Sequence, residues 1–431
     1  MVRTDGEPEP YLVERIKPLR RVRHLSHSSS LLKTFESCEA GFSMLSDGRG
    51  HVAFYHRHTR SLTVHGRKGG RVAPSDSVRG ADPCDVASIR SEVDAHLAAF
   101  LDGKAGDAAT YRLPGEVVEV LSSFLFAGGK RIRPVLCVIG WHAAGGAGPA
   151  GPVVRAAASL EMFHTFALIH DDIMDDSAVR RGRPTAHHAL AAHHPARADA
   201  ERLGVHAAIL LGDLALAWSD EILHTARLTP AQLAAVLPIL DDMRTELMYG
   251  QYLDLLGSGH GAAGIDTALT AARLKTAKYT VERPLHIGAA ISGANAVTLS
   301  VLSRYALPVG EAFQLRDDLL GTFGDPRATG KSRLDDLRSG RPTALVSLAV
   351  QRADPAQRRT LQTLIGDPSL DEDGADRIRE VLIATGAREE TERMITDRRR
   401  QALEALDASV LAPAVTDALR NLVNLATTRS R

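Results

Sequence analysis

From about residue 85 to about residue 410, apolar side chains recur every three to four positions, the spacing that gathers them on one face of a helix. The first such stretch runs from Asp85 to Phe100, and a second over 114–145 is interrupted at Gly128-Gly129. Ala156 to Asp176 is a long apolar run that ends in acids. Further helices are predicted at 204–226, 231–257, 266–292, 296–323, 341–363, 372–384 and 386–410. Turn signals separate them: Gly145-Gly146, Arg181-Gly182-Arg183-Pro184, Thr229-Pro230, Gly257-Ser258-Gly259 and Gly324-Asp325-Pro326. No period-two alternation runs long enough to predict a useful strand, and no Gly-rich nucleotide loop joins a strand to a helix. The pattern predicts an all-α domain over 83–431, a helical bundle around a deep central cavity.

Residues 1–82 differ. They are rich in Arg, His, Ser and Gly, carry net positive charge and lack a sustained apolar period, so a disordered basic leader is expected. A start codon placed too far upstream and a basic arm that meets a membrane or a partner are the other readings. The 431 residues suffice for one large domain or two smaller ones. A formal net charge of 0 argues against a general polyanion surface, so no nucleic-acid partner is expected. Cys38, Cys84 and Cys137 are widely spaced and form neither a metal motif nor a disulfide framework, which suits a cytoplasmic protein. No run of about 18 apolar residues suggests a membrane span, so stable insertion is not expected.

The chemistry is concentrated in short charged runs. In His170-Asp171-Asp172-Ile173-Met174-Asp175-Asp176, Asp171 and Asp175 share a helix face. Carboxylates crowded behind the apolar run Phe166 to Ile169 repel one another unless a cation joins them. Hard oxygen donors with little His or Cys nearby favour magnesium over zinc. Phe313-Gln314-Leu315-Arg316-Asp317-Asp318-Leu319-Leu320-Gly321 repeats the theme, and two such helices face to face would cage divalent ions. Asp241-Asp242 reads instead as a polar helix face. Cations supply the counterpart. Gly128-Gly129-Lys130-Arg131-Ile132-Arg133-Pro134 sets three beside flexible backbone, Arg180-Arg181-Gly182-Arg183-Pro184-Thr185 follows the first acids, Lys275 and Lys278 share a helix, and Lys331 follows the second acids. Arg presents a planar fork to phosphate oxygens and Lys a mobile point charge. Four basic patches interleaved with two acidic helices suggest two diphosphate sites side by side.

These runs stand in a familiar order. Gly128–Pro134, His170–Asp175, Arg180–Thr185, Gly212-Asp213, Gly250–Asp254, Lys275-Thr276, Phe313–Asp318, Gly330-Lys331 and the segment with Asp336, Gly340, Pro342 and Thr343 together resemble the all-trans polyprenyl diphosphate synthases, over roughly residues 85–410. The resemblance implies an all-α isoprenoid-synthase fold, a homodimer, and condensation of isopentenyl diphosphate with dimethylallyl, geranyl or farnesyl diphosphate. It implies that Asp171, Asp172 and Asp175 bind magnesium, with Asp317 and Asp318 binding more from the opposite helix, roughly three ions per site. It gives Arg180, Lys275 and Lys331 to the allylic diphosphate, with Lys275, Thr276 and Gln314 at the reacting end. It gives Lys130, Arg133, His164 and Arg181 to isopentenyl diphosphate, with Phe313 against its hydrocarbon.

The pattern has departures. Gly321 stands where the family commonly has a fifth-position acid, with Asp325 further on; Arg341 stands where Lys is frequent; Asp176 is an extra acid. For product length, Phe166 lies five residues before Asp171, Ala167 four, and Phe163 and Met162 deeper. An aromatic followed by a small residue there resembles the geranylgeranyl (C20) pattern, although both rings also read as ordinary core. Farnesyl or longer products, a terpene cyclase, a non-catalytic synthase subunit and a helical binding module are the competing readings.

Overall fold

The structure, a computed structural model, describes residues 84–257, 264–325 and 333–427, together with the backbone of two strands near the N-terminus. The chain divides into two units, Met1–Ser77 and Val78–Arg431. In the first, β1 (Phe42–Ser46) and β2 (Val52–His56) pair antiparallel, Phe42 opposite His56 and Ser46 opposite Val52. Five-residue runs are too short to stand out in the hydropathy pattern, and neither strand was expected. The remainder of the expected disordered leader lies outside the described residues.

Among the described residues, the second unit is all-α apart from a two-residue pairing of β3 (Val179–Arg180) with β4 (Arg183–Pro184). Its first half holds α1 (Val86–Tyr111), α2 (Glu116–Leu125), α3 (Ile132–Ala143), α4 (Gly151–Met174), α5 (Ala186–Ala192), α6 (Ala200–His224) and α7 (Pro230–Gly257). There follow α8 (Ile265–Ala272), a π-helical segment (Arg273–Glu282), α9 (Arg283–Ile291) and α10 (Ala296–Phe323). The C-terminal part holds α11 (Asp335–Arg338), α12 (Ala344–Arg352), α13 (Pro355–Leu364), α14 (Glu372–Ala384), α15 (Ala387–Asp407) and α16 (Pro413–Thr427).

Local chemistry sets many of these boundaries. The Asp85 carboxylate accepts from the Ala87 and Ser88 amides at 3.2 Å each and starts α1, which runs beyond the expected Phe100. The helix expected over 341–363 is two. Asp354 caps α13, Gln357 closes the capping box, and Pro355 brings no N–H with which to continue α12. The helix expected over 266–292 is continuous but changes register through the π-helical segment. Helices α5, α11 and α16 were not anticipated.

Helix α4 is buried along most of its length, from Val153 through Phe163 to Asp172, and packs most extensively on α6. Helix α10 threads two apolar clusters. Its Leu302, Tyr305 and Val309 join the larger one, and Ala312, Leu315 and Leu319 join a second built with α12, α14 and α15. The buried Tyr305 hydroxyl donates to the Leu419 carbonyl at 2.9 Å, tying α16 to this helix. Helices α3 and α9 meet through reciprocal glycines: a Cβ at Gly140 would strike the Leu285 backbone, and one at Gly288 the Cys137 backbone. Among the described residues, α6 alone is long and apolar enough to cross a membrane by length and composition, although Asp213 interrupts its apolar run. Here one stripe of it, with Ala208, Leu211, Ala215 and Ile222, is buried in the bundle.

Two glycines should respond oppositely to the same substitution. Gly288→Ala is expected to lower stability by about 1–3 kcal/mol through overpacking. Gly103→Ala, mid-helix in α1 with nothing near its Cβ position, is expected to raise it by about 0.5–1 kcal/mol. Chemical denaturation of the two variants beside the parent chain checks both signs.

Candidate active site

The last turn of α4 ends at Asp175, so Asp171, Asp172 and Asp175 emerge where the buried helix reaches open space. Each has a cation. Asp172, only 1% exposed, receives the Arg180 Nε at 2.7 Å on one oxygen and 2.9 Å on the other. The same guanidinium reaches Asp171 at 3.3 Å. Arg341 pairs with Asp175. Lys275 Nζ lies 2.6 Å from Asp254 and 3.8 Å from Asp171, and the Gln251 amide donates to Asp171 at 3.2 Å. Burial raises the Asp172 and Asp175 pKa values, and the partner arginines only partly oppose it. Burial alone would weaken the Arg341 charge, but Asp175, Asp336, Asp171 and Asp254 around it hold its pKa above the ordinary value.

The opposite acids come from α10, and the π-helical segment lies between. That segment is seated by two glycines: a Cβ at Gly250 on α7 would crowd Lys275, and one at Gly310 on α10 would strike Ala277. It projects Lys275 toward α7 and Thr276 toward α10. Thr276 Oγ donates to the Gln314 carbonyl oxygen at 2.6 Å, and the Gln314 amide donates to Asp318 at 2.9 Å. Asp318 is buried, and burial raises its pKa from 3.8 to about 7; Gln314 opposes this and the Asp336, Asp317 and Asp254 charges add to it.

The basic side centres on His164. Its Nδ1 lies 3.2 Å from the Tyr279 hydroxyl, and Arg133 stands 4.1 Å above the Tyr279 ring while donating to Thr280 at 2.6 Å. The Arg133 Nε is a buried donor with no partner among the described residues. Burial, followed by the charges of Arg133, Arg181, Arg180 and Arg131, holds the His164 pKa well below the usual histidine range, so the ring is neutral. Arg181 donates to the Gly128 carbonyl and itself adopts positive φ. Of the three cations in the Gly128–Pro134 run, Lys130 and Arg133 were assigned to isopentenyl diphosphate, and the third turns inward. Arg131 is buried against Glu161 at 2.8 Å and Asp94 at 2.7 Å, so it anchors the loop. Lys130 is exposed.

The predicted residues thus gather into an acidic group (Asp171, Asp172, Asp175, Asp318, with Lys275 and Arg180) and a basic group (Arg133, His164, Arg181). Asp317 and the partly buried Phe313 lie on α10 beside Gln314 and Asp318. Lys331 lies outside the described residues. Met162 and Phe163 are fully buried, Phe166 nearly so, and Ala167 partly. Phe163 contacts Phe166 at 5.3 Å, Tyr279 at 5.9 Å and the Arg244 guanidinium at 5.5 Å between centres. Asp241 and Asp242 are exposed, as expected of a polar face. Gln251 and Asp254 were quoted in the sequence motif without a role. Their polar side chains, one helical turn apart and facing two of the nominated residues, were the available signal.

The donor set suits magnesium: every first-choice ligand is a hard carboxylate oxygen. Among the described residues no three such groups converge on one point, so oxygens of a bound diphosphate would have to complete any coordination shell. Asp171, Asp175 and Asp317 are the residues that would hold the ions.

The sequence profile of the polyprenyl synthetase family matches residues 115–382. The geranylfarnesyl diphosphate synthase of Aeropyrum pernix is 34% identical over 305 residues, 69% of this chain and 88% of that one. The (2E,6E)-farnesyl diphosphate synthase of Mycobacterium tuberculosis is 33% identical over 60% of this chain and 68% of its own. A geranylgeranyl pyrophosphate synthase of Corynebacterium glutamicum, solved with isoprenyl diphosphate and magnesium, superposes with TM-score 0.77 at 39% identity, covering 80% of this chain and 99% of that one.

Asp318 gives the site a pH signature. A carboxyl whose pKa rises on folding stabilises the fold fully below its unfolded value and loses that contribution as pH rises through the folded one. Without magnesium, the stability of the parent chain relative to Asp318→Asn is expected to fall between pH 3.8 and about 7, and then to level off. The total change is about 4 kcal/mol at most. Denaturation of both proteins across that range is the check, and a flat difference would contradict it.

Proposed function

The chain belongs to the polyprenyl synthetase family and is a prenyl diphosphate synthase, and from that premise we propose that it condenses isopentenyl diphosphate head to tail with dimethylallyl, geranyl or farnesyl diphosphate, ending mainly at all-trans geranylgeranyl diphosphate (C20). The observation that carries the two-substrate reading is the separation of charge. The carboxylates of α4 and α7 are paired with Arg180, Lys275 and Arg341, whereas Arg133, whose Nε has no partner among the described residues, sits with His164 and Arg181, and the carboxylate that acts on Arg181, Glu161, is paired with Arg131. One set suits a metal-bound diphosphate and the other a diphosphate held by cations alone. A cyclase needs only one such site.

Bound magnesium would neutralise the allylic diphosphate and ease its departure. Lys275 and Arg180 would exchange their carboxylate partners for its oxygens, with Lys331 joining them. As the C1–O bond breaks, the electron pair leaves with the diphosphate and a carbocation develops. The Thr276 hydrogen is committed to Gln314, which leaves the Thr276 oxygen lone pairs free to face that positive charge. The terminal methylene of isopentenyl diphosphate attacks, its C2 loses a proton to the departed diphosphate, and the new trans double bond forms. With the Tyr279 hydroxyl donating to Nδ1, neutral His164 can donate from Nε2 to isopentenyl diphosphate without adding a cation beside the reacting centre. Lys130, Arg133 and Arg181 would complete that grip, with Phe313 against the hydrocarbon. The buried rings of Phe163 and Phe166 support a tunnel wall below Asp171, with Met162 and Ala167 beside it. We extend the reading to a homodimer: Leu210 on α6 (69% exposed) and Tyr249 and Leu256 on α7 (65% and 63%) are exposed apolar side chains that a second copy would cover.

Chromatography of the dephosphorylated alcohols, after incubation with isopentenyl diphosphate and each starter, tests the reading. A dominant C20 alcohol that disappears without magnesium supports it. A dominant C15 alcohol, or one longer than C20, would reject the tunnel assignment and keep the class. No elongation by folded protein would favour a non-catalytic subunit, and a cyclic hydrocarbon formed without isopentenyl diphosphate a cyclase. Phe166→Ala is expected to shift the main product to C25 or longer, with total turnover changed less than about tenfold.

A further inference from the structure

We propose that Glu246, on α7, is a positioning residue for the condensation: it clamps the last turn of the π-helical segment and so fixes the register in which Lys275 and Thr276 meet the substrate. The inference rests on the roles given to those two residues above. Glu246 Oε1 receives Lys278 Nζ and Arg283 Nη2, each at 2.6 Å, and Oε2 receives Arg283 Nε at 2.8 Å. The two cations stand five residues apart. On an α-helix such a pair would point about 140° from one another. Here the backbone between them closes the wider turn, because the Arg283 amide donates to the Lys278 carbonyl. One carboxylate therefore binds the side chains of the same two residues whose backbones make the π hydrogen bond.

The surroundings keep this clamp charged and closed. Buried Glu282 lies 3.6 Å from Lys278, and Asp242 lies 3.4 Å from Arg283, so each cation has a second acid. Burial alone would raise the Glu246 pKa, but the hydrogen bonds from Arg283 and Lys278 bring it below the ordinary value. Glu246 stands one turn before Gly250, against which Lys275 is seated, so α7 meets the segment at both places. The register decides what the residues between can reach. Lys275 pairs with Asp254, Thr276 with Gln314, Tyr279 with His164, and Thr280 accepts from Arg133. Closing the segment as an α-helix would turn the later side chains relative to the earlier ones, and the four contacts would no longer be made together.

The test uses the full chain, as the parent, Glu246→Gln, Lys278→Gln and the double variant. The readouts are kcat at saturating substrate, well below each thermal midpoint, and hydrogen exchange of the amides of 273–283. The magnesium concentration giving half of the thermal shift at fixed pyrophosphate is measured alongside. Glu246→Gln is expected to lower kcat about tenfold to a hundredfold and to speed exchange over 273–283. Its magnesium requirement is expected to stay within about threefold of the parent, because the carboxylates of α4 and α10 are untouched. Lys278→Gln is expected to lower kcat at least about threefold, and the double variant to match Glu246→Gln within about threefold, as for two members of one clamp. An ion pair that merely braced the fold would lower the thermal midpoint and leave kcat in place. A Glu246→Gln kcat within about threefold of the parent overturns this inference alone. So does a fall in kcat with exchange over 273–283 unchanged. If Glu246→Gln does not fold, Lys278→Gln decides, and an unchanged kcat there overturns the clamp. A parent that elongates no starter overturns the functional reading and this inference with it.

Discussion

Carboxylates from α4, α7, α10 and α11 are gathered into one partly buried region, and like charges so placed repel strongly in a medium poorer in water than the surface. The rest of the site answers that constraint. Arg180, Lys275 and Arg341 are interleaved among the acids, and Asp318 is pushed toward its protonated form. Two of these cations, Arg180 and Lys275, are the groups proposed to grip a diphosphate. On the proposed reading binding would be an exchange, in which metal ions would take over the carboxylates and the freed cations would take the phosphate oxygens. An arrangement of this kind costs little reorganisation of backbone, because the exchanging groups sit on long side chains.

Backbone devices fix where those side chains begin. Gly250 and Gly310 admit the π-helical segment between α7 and α10, and its change of register lets adjacent residues, Lys275 and Thr276, serve the two acidic helices separately. Gly128 and Gly129, both at positive φ, turn the loop that ends in Arg131, and the Glu161 and Asp94 contacts lock it. Arg133 is thereby delivered to Tyr279 and the neutral His164.

Much of this was legible in the sequence. Helical periodicity gave the fold class, and the spacing of Asp171 with Asp175, repeated in outline at Asp317-Asp318, gave the acidic helices. Other features were hidden for physical reasons. A π turn and an α turn differ by one residue, so the hydropathy pattern over 273–282 reads as plain helix. Arg131 and Arg133 look alike until Glu161, remote in sequence, claims one of them. Asp336 and Gly321 lie on different elements, and only packing reveals that the Asp336 carboxylate rests against Gly321. Pro355 was visible as a helix breaker, and the run over 341–363 should have been divided there.

The central claim is that the molecule holds two diphosphate sites of different construction, one of carboxylate and metal, the other of cations alone. Calorimetric titration with isopentenyl diphosphate, and separately with an unreactive thiolo analogue of an allylic diphosphate, each with and without magnesium, tests it most directly. The account expects isopentenyl diphosphate to bind in either condition with affinity changed less than about threefold, and the allylic analogue to bind only when magnesium is present. Equal dependence of both ligands on magnesium, or independence of both, would contradict it.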